Sequence, residues 1–250
     1  MAREFVHLKV RRQDNPNSQP YWEEFKIPYK PNMNVVSVLM ELRKNPVNAQ
    51  GKKTSPVVWE CNCLEEVCGA CTMLINGQPR QACSALIDKI EQEPIVLEPL
   101  TKFPVIRDLM VDRQVMFDNL KKVKAWVEID GTQNLGPGPR FPEKIRRWAY
   151  EISRCMTCGC CMEACPNVNA KSSFIGPAAL AQVRLFNAHP NGQMNKEERL
   201  QAIMGKGGIT DCGNSQNCVQ VCPKKIPLTT SIADLNKETT LYGIFGWLKR

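Results

Sequence analysis

Thirteen cysteines in 250 residues fall into three tight groups, at 61–83, 155–165 and 212–222. Grouping of this kind demands loops gathered around something held in common, before any pattern of strands or helices is considered. The N-terminal stretch MAREFVHLKV mixes charge with its apolar residues and lacks a signal-peptide core, so the expected location is the cytoplasm or the cytoplasmic face of a membrane. Disulfides are rare in that compartment, so clustered thiols there point to metal or redox chemistry. No stretch approaches the ~20 apolar residues that span a bilayer. The net charge of +8 fits an anionic partner (nucleic acid, acidic headgroups or an acidic protein) and equally fits ordinary solubility.

Around the cysteines the chain changes character once. Val6, Leu8 and Val10 alternate with polar residues as a half-buried strand does, residues 14–17 (DNPN) turn the chain, and residues 21–27 return it. Asn34 can cap a short helix with Val35, Leu39 and Leu42 on one face. Asn76-Gly77 signals a two-residue hairpin, and residues 95–97 form a further strand. This order predicts a small β-grasp domain over 1–105. Beyond Pro104 helical spacing takes over: Leu109, Val115, Met116, Leu120, Val123 and Val127 predict a helix over 108–127. A Gly/Pro-rich loop is expected at 131–140, with helices over 142–153, 177–188, 196–204 and roughly 230–248. The fold class is therefore α+β, a β domain followed by an all-α domain over 106–250, both of ordinary size.

In the first group, Cys63-x4-Cys68-x2-Cys71 with a distant Cys83 has the plant-type 2Fe–2S ferredoxin spacing. One loop supplies three thiolates and a neighbouring strand the fourth. Gly69 lets the backbone approach the inorganic sulfides with its N–H groups exposed. Cys61 fits no ligand position and reads as a small packed thiol. The alternative is tetrahedral zinc, although structural zinc sites usually pair two short knuckles rather than place three ligands on one loop.

In the second group, Cys155-x2-Cys158-x2-Cys161-x3-Cys165-Pro166 has the bacterial ferredoxin run, whose fourth cysteine ligates the other cluster of a pair. The third group repeats the frame as Cys212, Ser215, Cys218, Cys222 and Pro223. Exchanging the fourth ligands gives Cys155, Cys158, Cys161 and Cys222 to a 4Fe–4S cluster. Cys165, Cys212 and Cys218 remain for a cluster whose fourth position is Ser215. Three thiolates suit 3Fe–4S; a serine-ligated 4Fe–4S cluster is the alternative, with a harder and poorer ligand. Eleven cysteines are then assigned, and Cys61 and Cys160 are spare. Three adjacent clusters of different type serve as a path for single electrons.

The combination resembles the iron–sulfur subunit of succinate dehydrogenase and fumarate reductase, respiratory complex II, over nearly the whole chain. FIGPAAL at 174–180 is similar to that family's sequence too. The resemblance implies an electron-transfer subunit with no substrate-converting site of its own, peripheral on the cytoplasmic face of the bacterial membrane. Its partners would be a flavoprotein with covalent FAD and a membrane cytochrome b anchor, with electrons ending on a quinone. Members that reduce ubiquinone beside the 3Fe–4S cluster carry tryptophans soon after the position of Pro166 and a histidine beside the position of Cys212. Here residues 167–173 read NVNAKSS and Gly213 follows Cys212. The expected branch is therefore the one whose anchor holds two haems b and passes electrons to menaquinone. Fumarate reduction, the reverse direction, is the alternative.

Arg140, Lys144, Arg146, Arg147 and Arg154 form either a solvated helix face or a counter-charge to the clusters. The terminal LYGIFGWLKR (241–250) either docks on the anchor or packs on the cluster domain. A zinc-stabilised nucleic-acid-binding protein is the reading from a different class. It sits poorly with the Cys-Pro ends of both runs, and His7 and His189 lie outside every group.

Overall fold

A computed structural model describes residues 4–128 and 140–246, so the Gly/Pro-rich loop expected at 131–140 lies outside the described residues but for Arg140. The chain divides into two compact units, Met1–Arg113 with Met156–Glu163, and Gln114–Cys155 with Ala164–Arg250.

The first unit is built on five strands: β1 (Phe5–Arg12), β2 (Tyr21–Pro28), β3 (Thr72–Ile75), β4 (Gln78–Gln81) and β5 (Ile95–Glu98). Their order in the sheet is β2-β1-β5-β3-β4, with β1 and β5 parallel and every other neighbouring pair antiparallel. This is the expected β-grasp. The alternation read in β1 sends Val6, Leu8 and Val10 inward, where they share a core with Val35, Val38, Leu39 and Leu42 of helix α1 (Val35–Lys44). Each such buried aliphatic side chain contributes about 2 kcal/mol. Helix α1 starts where Asn34 permits: Asn34 Oδ1 accepts from Ser37 N–H at 2.8 Å, and Ser37 Oγ accepts from Asn34 N–H at 2.8 Å. Between β3 and β4 both Asn76 and Gly77 have positive φ (51° and 75°), as a type I′ turn requires.

Residues 108–113 are not helical, contrary to the helix expected over 108–127. They belong to a small hairpin of β6 (Val105–Arg107) and β7 (Met110–Val111), and α2 covers only Gln114–Lys122. The reason is electrostatic. Asp108 is fully buried, and its carboxylate accepts from Arg12 Nε at 2.9 Å, Val58 N–H at 2.8 Å and Gln13 N–H at 3.1 Å. Arg12, also fully buried, gives a further bond to Glu23 at 2.6 Å. Those tertiary partners outweigh local helical spacing.

The remaining helices are α3 (Glu143–Ser153), α4 (Cys160–Glu163), α5 (Pro177–Ala188), α6 (Lys196–Met204), α7 (Asn217–Gln220) and α8 (Leu228–Phe245). Helix α4 belongs to the first unit, where the Glu163 carboxylate accepts from Thr101 N–H, Thr101 Oγ1 and Lys102 N–H at 3.1, 2.5 and 3.1 Å. The second unit gathers around α5, which meets α2, α3, α6 and α8. Its Ala178, Ala179 and Ala181 keep it slim enough to be buried on several sides. Arg184 is paired with Asp234, bonded to Ser231 and stacked 4.0 Å over the Trp148 ring. Arg199, fully buried, holds the chain after α2 by donating to the Lys124 and Trp126 carbonyls, each at 2.8 Å.

Candidate metal centres

The loop after Trp59 carries the first group. Leu64, Glu66 and Gly69 all have positive φ (63°, 57° and 73°), which turns successive N–H groups toward the thiols. Glu65, Val67 and Cys68 N–H donate to Cys63 Sγ at 3.5, 3.2 and 3.3 Å. Glu66 N–H donates to Cys83 Sγ at 3.3 Å, and Ala70 N–H to Cys68 Sγ at 3.4 Å. Those donors, led by Glu65, bring the Cys63 thiol down to about 7. Burial pushes Cys71 up to about 12. Cys63 bonds with Cys68 and Cys71 with Cys83, and the N–H groups of residues 65–67 donate to both Cys63 and Cys83, so one loop links the two pairs. A ring of N–H donors around four thiols is the donor set an anionic Fe–S core requires, and the site fits it. Cys61 feels Cys68, Cys83 and Cys63 as neighbours, and burial raises its thiol.

Gly69 also makes the cradle compact. A Cβ there would stand 2.9 Å from Cys158 Cα and 3.0 Å from the Met156 carbonyl oxygen. The first loop therefore lies directly on the backbone of the second group. Arg113 secures the approach by donating to the Gly69 carbonyl at 2.7 Å, and its charge favours the Cys158 thiolate. A hydrogen bond from Cys160 is the main reason the Cys158 thiol is brought down to about 7.

The second and third groups repeat each other at a constant offset of 57 residues, in backbone as well as sequence. Thr157 and Gly159 flank Cys158 with positive φ (52° and 94°); Asn214 and Gln216 flank Ser215 in the same way (50° and 63°). The Gly159 carbonyl accepts from Met162 and Glu163 N–H as the Gln216 carbonyl accepts from Val219 and Gln220 N–H. Cys155 N–H bonds Ile152 O as Cys212 N–H bonds Ile209 O, and Val168 bonds Cys165 as Lys225 bonds Cys222. Ser215 thus occupies the same backbone frame as the candidate ligand Cys158, with an oxygen in place of sulfur. Cys218, pushed up to about 11 by burial, has Cys165 and Cys212 as its thiol neighbours. Those are the three thiols assigned together from spacing. Cys222 Sγ accepts from Ile226 N–H at 3.4 Å.

Among the described residues, no three His, Cys, Asp or Glu side chains close around a single metal ion. Gln81, Thr72, Arg113 and Asn34, whose side chains brace the thiol loops, leave no mark in the cysteine spacing. Asn34 Nδ2, for instance, donates to the Cys83 carbonyl at 2.9 Å. Only the appearance of polar residues at inward strand positions, as at Gln81, hinted at them. The basic residues before the second group split by role. Arg146 and Arg147 pair with Glu143 on the exposed face of α3, whereas Arg154 donates to the Lys224 carbonyl at 3.0 Å.

Residues 7–118 match the family described as a 2Fe-2S iron-sulfur cluster binding domain, and residues 151–226 match a 4Fe-4S dicluster domain. The succinate dehydrogenase iron-sulfur subunit of Bacillus subtilis is 69% identical over 236 residues, covering 94% of this chain and 93% of that one. The fumarate reductase iron-sulfur subunit of Wolinella succinogenes is 30% identical over 223 residues, covering 88% and 90%. The fold is also similar to a chain of the Mycobacterium smegmatis Sdh1 complex in the apo form, with a TM-score of 0.78 at 22% identity over 95% and 96% of the two chains.

Proposed function

The chain belongs to the iron–sulfur subunits of succinate dehydrogenase and fumarate reductase, and on that premise we propose how its residues divide the work of carrying single electrons. It is an electron-transfer subunit of a succinate dehydrogenase, with a 2Fe–2S domain and a 4Fe–4S dicluster domain; the nucleic-acid alternative has no support. Bound clusters supply one-electron carriers at fixed positions. The protein supplies thiolates, N–H donors and exclusion of water. Cys63, Cys68, Cys71 and Cys83 hold the 2Fe–2S cluster. Cys155, Cys158, Cys161 and Cys222 hold the 4Fe–4S cluster, and Cys165, Cys212 and Cys218 hold a 3Fe–4S cluster. The observation that carries this last reading is the shared backbone frame of Cys158 and Ser215.

Membership makes the chain part of a complex with a flavoprotein and a membrane anchor, as a peripheral subunit; no helix among the described residues is long and apolar enough to cross a membrane. Our finer reading is a flavoprotein with FAD, a cytochrome b anchor with two haems on the cytoplasmic face, and menaquinone reached through that anchor. Asn167 and Gly213 support it. Asn167 Nδ2 donates to the Asp211 carbonyl at 2.8 Å, and a Cβ on Gly213 would stand 3.0 Å from Asn167 Oδ1. A side chain at position 213, where the resemblance puts a histidine in ubiquinone-reducing members, would crowd Asn167. The direction favoured is succinate oxidation, since the 69% relative is a succinate dehydrogenase and the fumarate reductase stands at 30%. The test is the purified complex: two haems b per flavin, a 3Fe–4S signal in the oxidised state, and succinate oxidation faster than fumarate reduction. Inhibitor-resistance mutations mapping onto residues 166–215 would contradict the dihaem reading.

A further inference from the structure

The Gln81 carboxamide is fully buried and touches both cysteine groups of the first unit. Its Oε1 lies 3.7 Å from the Cys71 sulfur. Its Nε2 lies 3.8 Å from the Cys160 sulfur and 2.7 Å from Thr72 Oγ1. Cys160, itself fully buried, hydrogen-bonds the Cys158 sulfur. A continuous buried line therefore runs from Cys71 through Gln81 and Cys160 to Cys158. It gives a place to the one cysteine of the second group that fits no ligand frame.

We infer that Gln81 and Cys160 form a reorienting polar bridge that couples the potentials of the clusters held by Cys71 and Cys158. The inference rests on the ligand reading above. A thiolate holding iron has no proton to donate, so Gln81 serves Cys71 only by turning its N–H edge to that sulfur. The two edges of a carboxamide have nearly the same shape, so the cavity accepts either orientation. With the N–H edge toward Cys71, the amide oxygen faces Thr72 and Cys160 and draws the Cys160 S–H away from Cys158. With the amide reversed, Nε2 supports Cys160, and Cys160 donates to Cys158. The reversal leaves no buried carbonyl unpaired. When the Thr72 hydroxyl turns from the Gly69 carbonyl, which it meets at 2.7 Å, Arg113 still donates there at 2.7 Å.

Hydrogen bonds to ligand sulfur stabilise the added charge of a reduced cluster and raise its potential. One amide cannot serve both sulfurs at once, so a donor given to one cluster is withheld from the other. Gln81 and Cys160 act through ligand sulfurs and are positioning residues.

The experiment is an anaerobic redox titration of the intact membrane complex, following each cluster by its own electron paramagnetic resonance signal. Gln81→Met keeps the side chain's length and removes the donor. It should lower the first cluster's one-electron equilibrium constant about tenfold, a fall of 59 mV, and raise the second cluster's potential. Cys160→Ala should lower the second potential, while Cys160→Ser keeps a donor and restores it. Unmoved potentials in Gln81→Met, or shifts of one sign in both clusters, overturn the bridge, as do equal shifts in the two Cys160 variants. If Cys160→Ala fails to assemble, Gln81→Met still decides. The ligand reading is tested apart from this by Cys71→Ala. A 2Fe–2S signal unchanged in that variant sinks the ligand reading, whatever Gln81→Met does.

Discussion

At Ser215 an oxygen stands where the matching backbone frame of the other loop carries the Cys158 sulfur. The flanking positive φ angles already hold the side chain in a ligand's frame, so Ser215→Cys needs no backbone change. It should admit a fourth iron, replace the oxidised-state 3Fe–4S signal with a 4Fe–4S signal on reduction, and lower that cluster's potential. Persistence of the 3Fe–4S signal at full intensity would count against the frame argument. His189 offers a different residue-scale test. Its Nδ1 accepts from Gly192 N–H at 3.4 Å, and the Phe141 ring packs on its edge at 5.4 Å. The bond accepted at Nδ1 requires the neutral ring, and burial lowers its pKa below the ordinary histidine value. The unfolded chain then binds the proton more readily than the folded one. The contribution of His189 to stability is present above about pH 6.5 and lost as pH falls through the folded value. Urea midpoints should drop with acidification in this range, and the drop should be smaller in His189→Asn.

At the scale of elements, polar anchors decide where pieces begin and what they hold. Asn34 caps α1 through Oδ1 and grips the Cys83 carbonyl through Nδ2, so one side chain serves both helix and thiol loop. Asn34→Ala should cost about 1 kcal/mol in denaturant unfolding and make the 2Fe–2S cluster more labile. Asn34→Asp keeps the cap but not the Nδ2 donor; it should spare most of the stability and reproduce the lability. Equal stability losses in the two variants would mean the cap is not the stabilising part. The β6–β7 hairpin depends likewise on Arg12. Arg12→Met leaves the Asp108 carboxylate buried without its cation, a loss of about 3–5 kcal/mol, and adding Asp108→Asn should recover much of it. The midpoints of the single and double variants measure this directly. These anchors also explain what could be read from the sequence. Strand alternation in β1, the Asn76-Gly77 turn and the Pro177 start of α5 are local, and each was legible. The partners of Asp108 lie 96 residues away at Arg12 and 50 away at Val58, so helical spacing alone led the reading past a hairpin.

For the whole molecule, thiol spacing spoke for the candidate ligands because each Fe–S frame is a local loop written in consecutive residues. Gln81, Thr72, Arg113 and Cys160 stayed silent for the opposite reason: their roles exist only once β3, β4 and α4 meet and Arg113, after β7, reaches the Gly69 carbonyl. As a peripheral subunit, the chain should leave washed membranes with chaotrope and no detergent. Retention until detergent is added would contradict that attachment. At the end of α8, Leu241, Ile244 and Phe245 are exposed, while residues 247–250 of the terminal stretch lie outside the described residues.

The membership of Met156–Glu163 in the first unit has a consequence in time. A ribosome makes the strands of that unit first, yet about 50 more residues must follow Arg113 before Glu163 exists to accept its three bonds from Thr101 and Lys102. At 5–20 residues per second, that delay is roughly 3–10 s. Over that interval the nascent first unit has its thiol loop but neither Cys160 nor the carboxylate of Glu163. Begun first, it cannot be the first part finished: its completion is timed by the emergence of the second cysteine group.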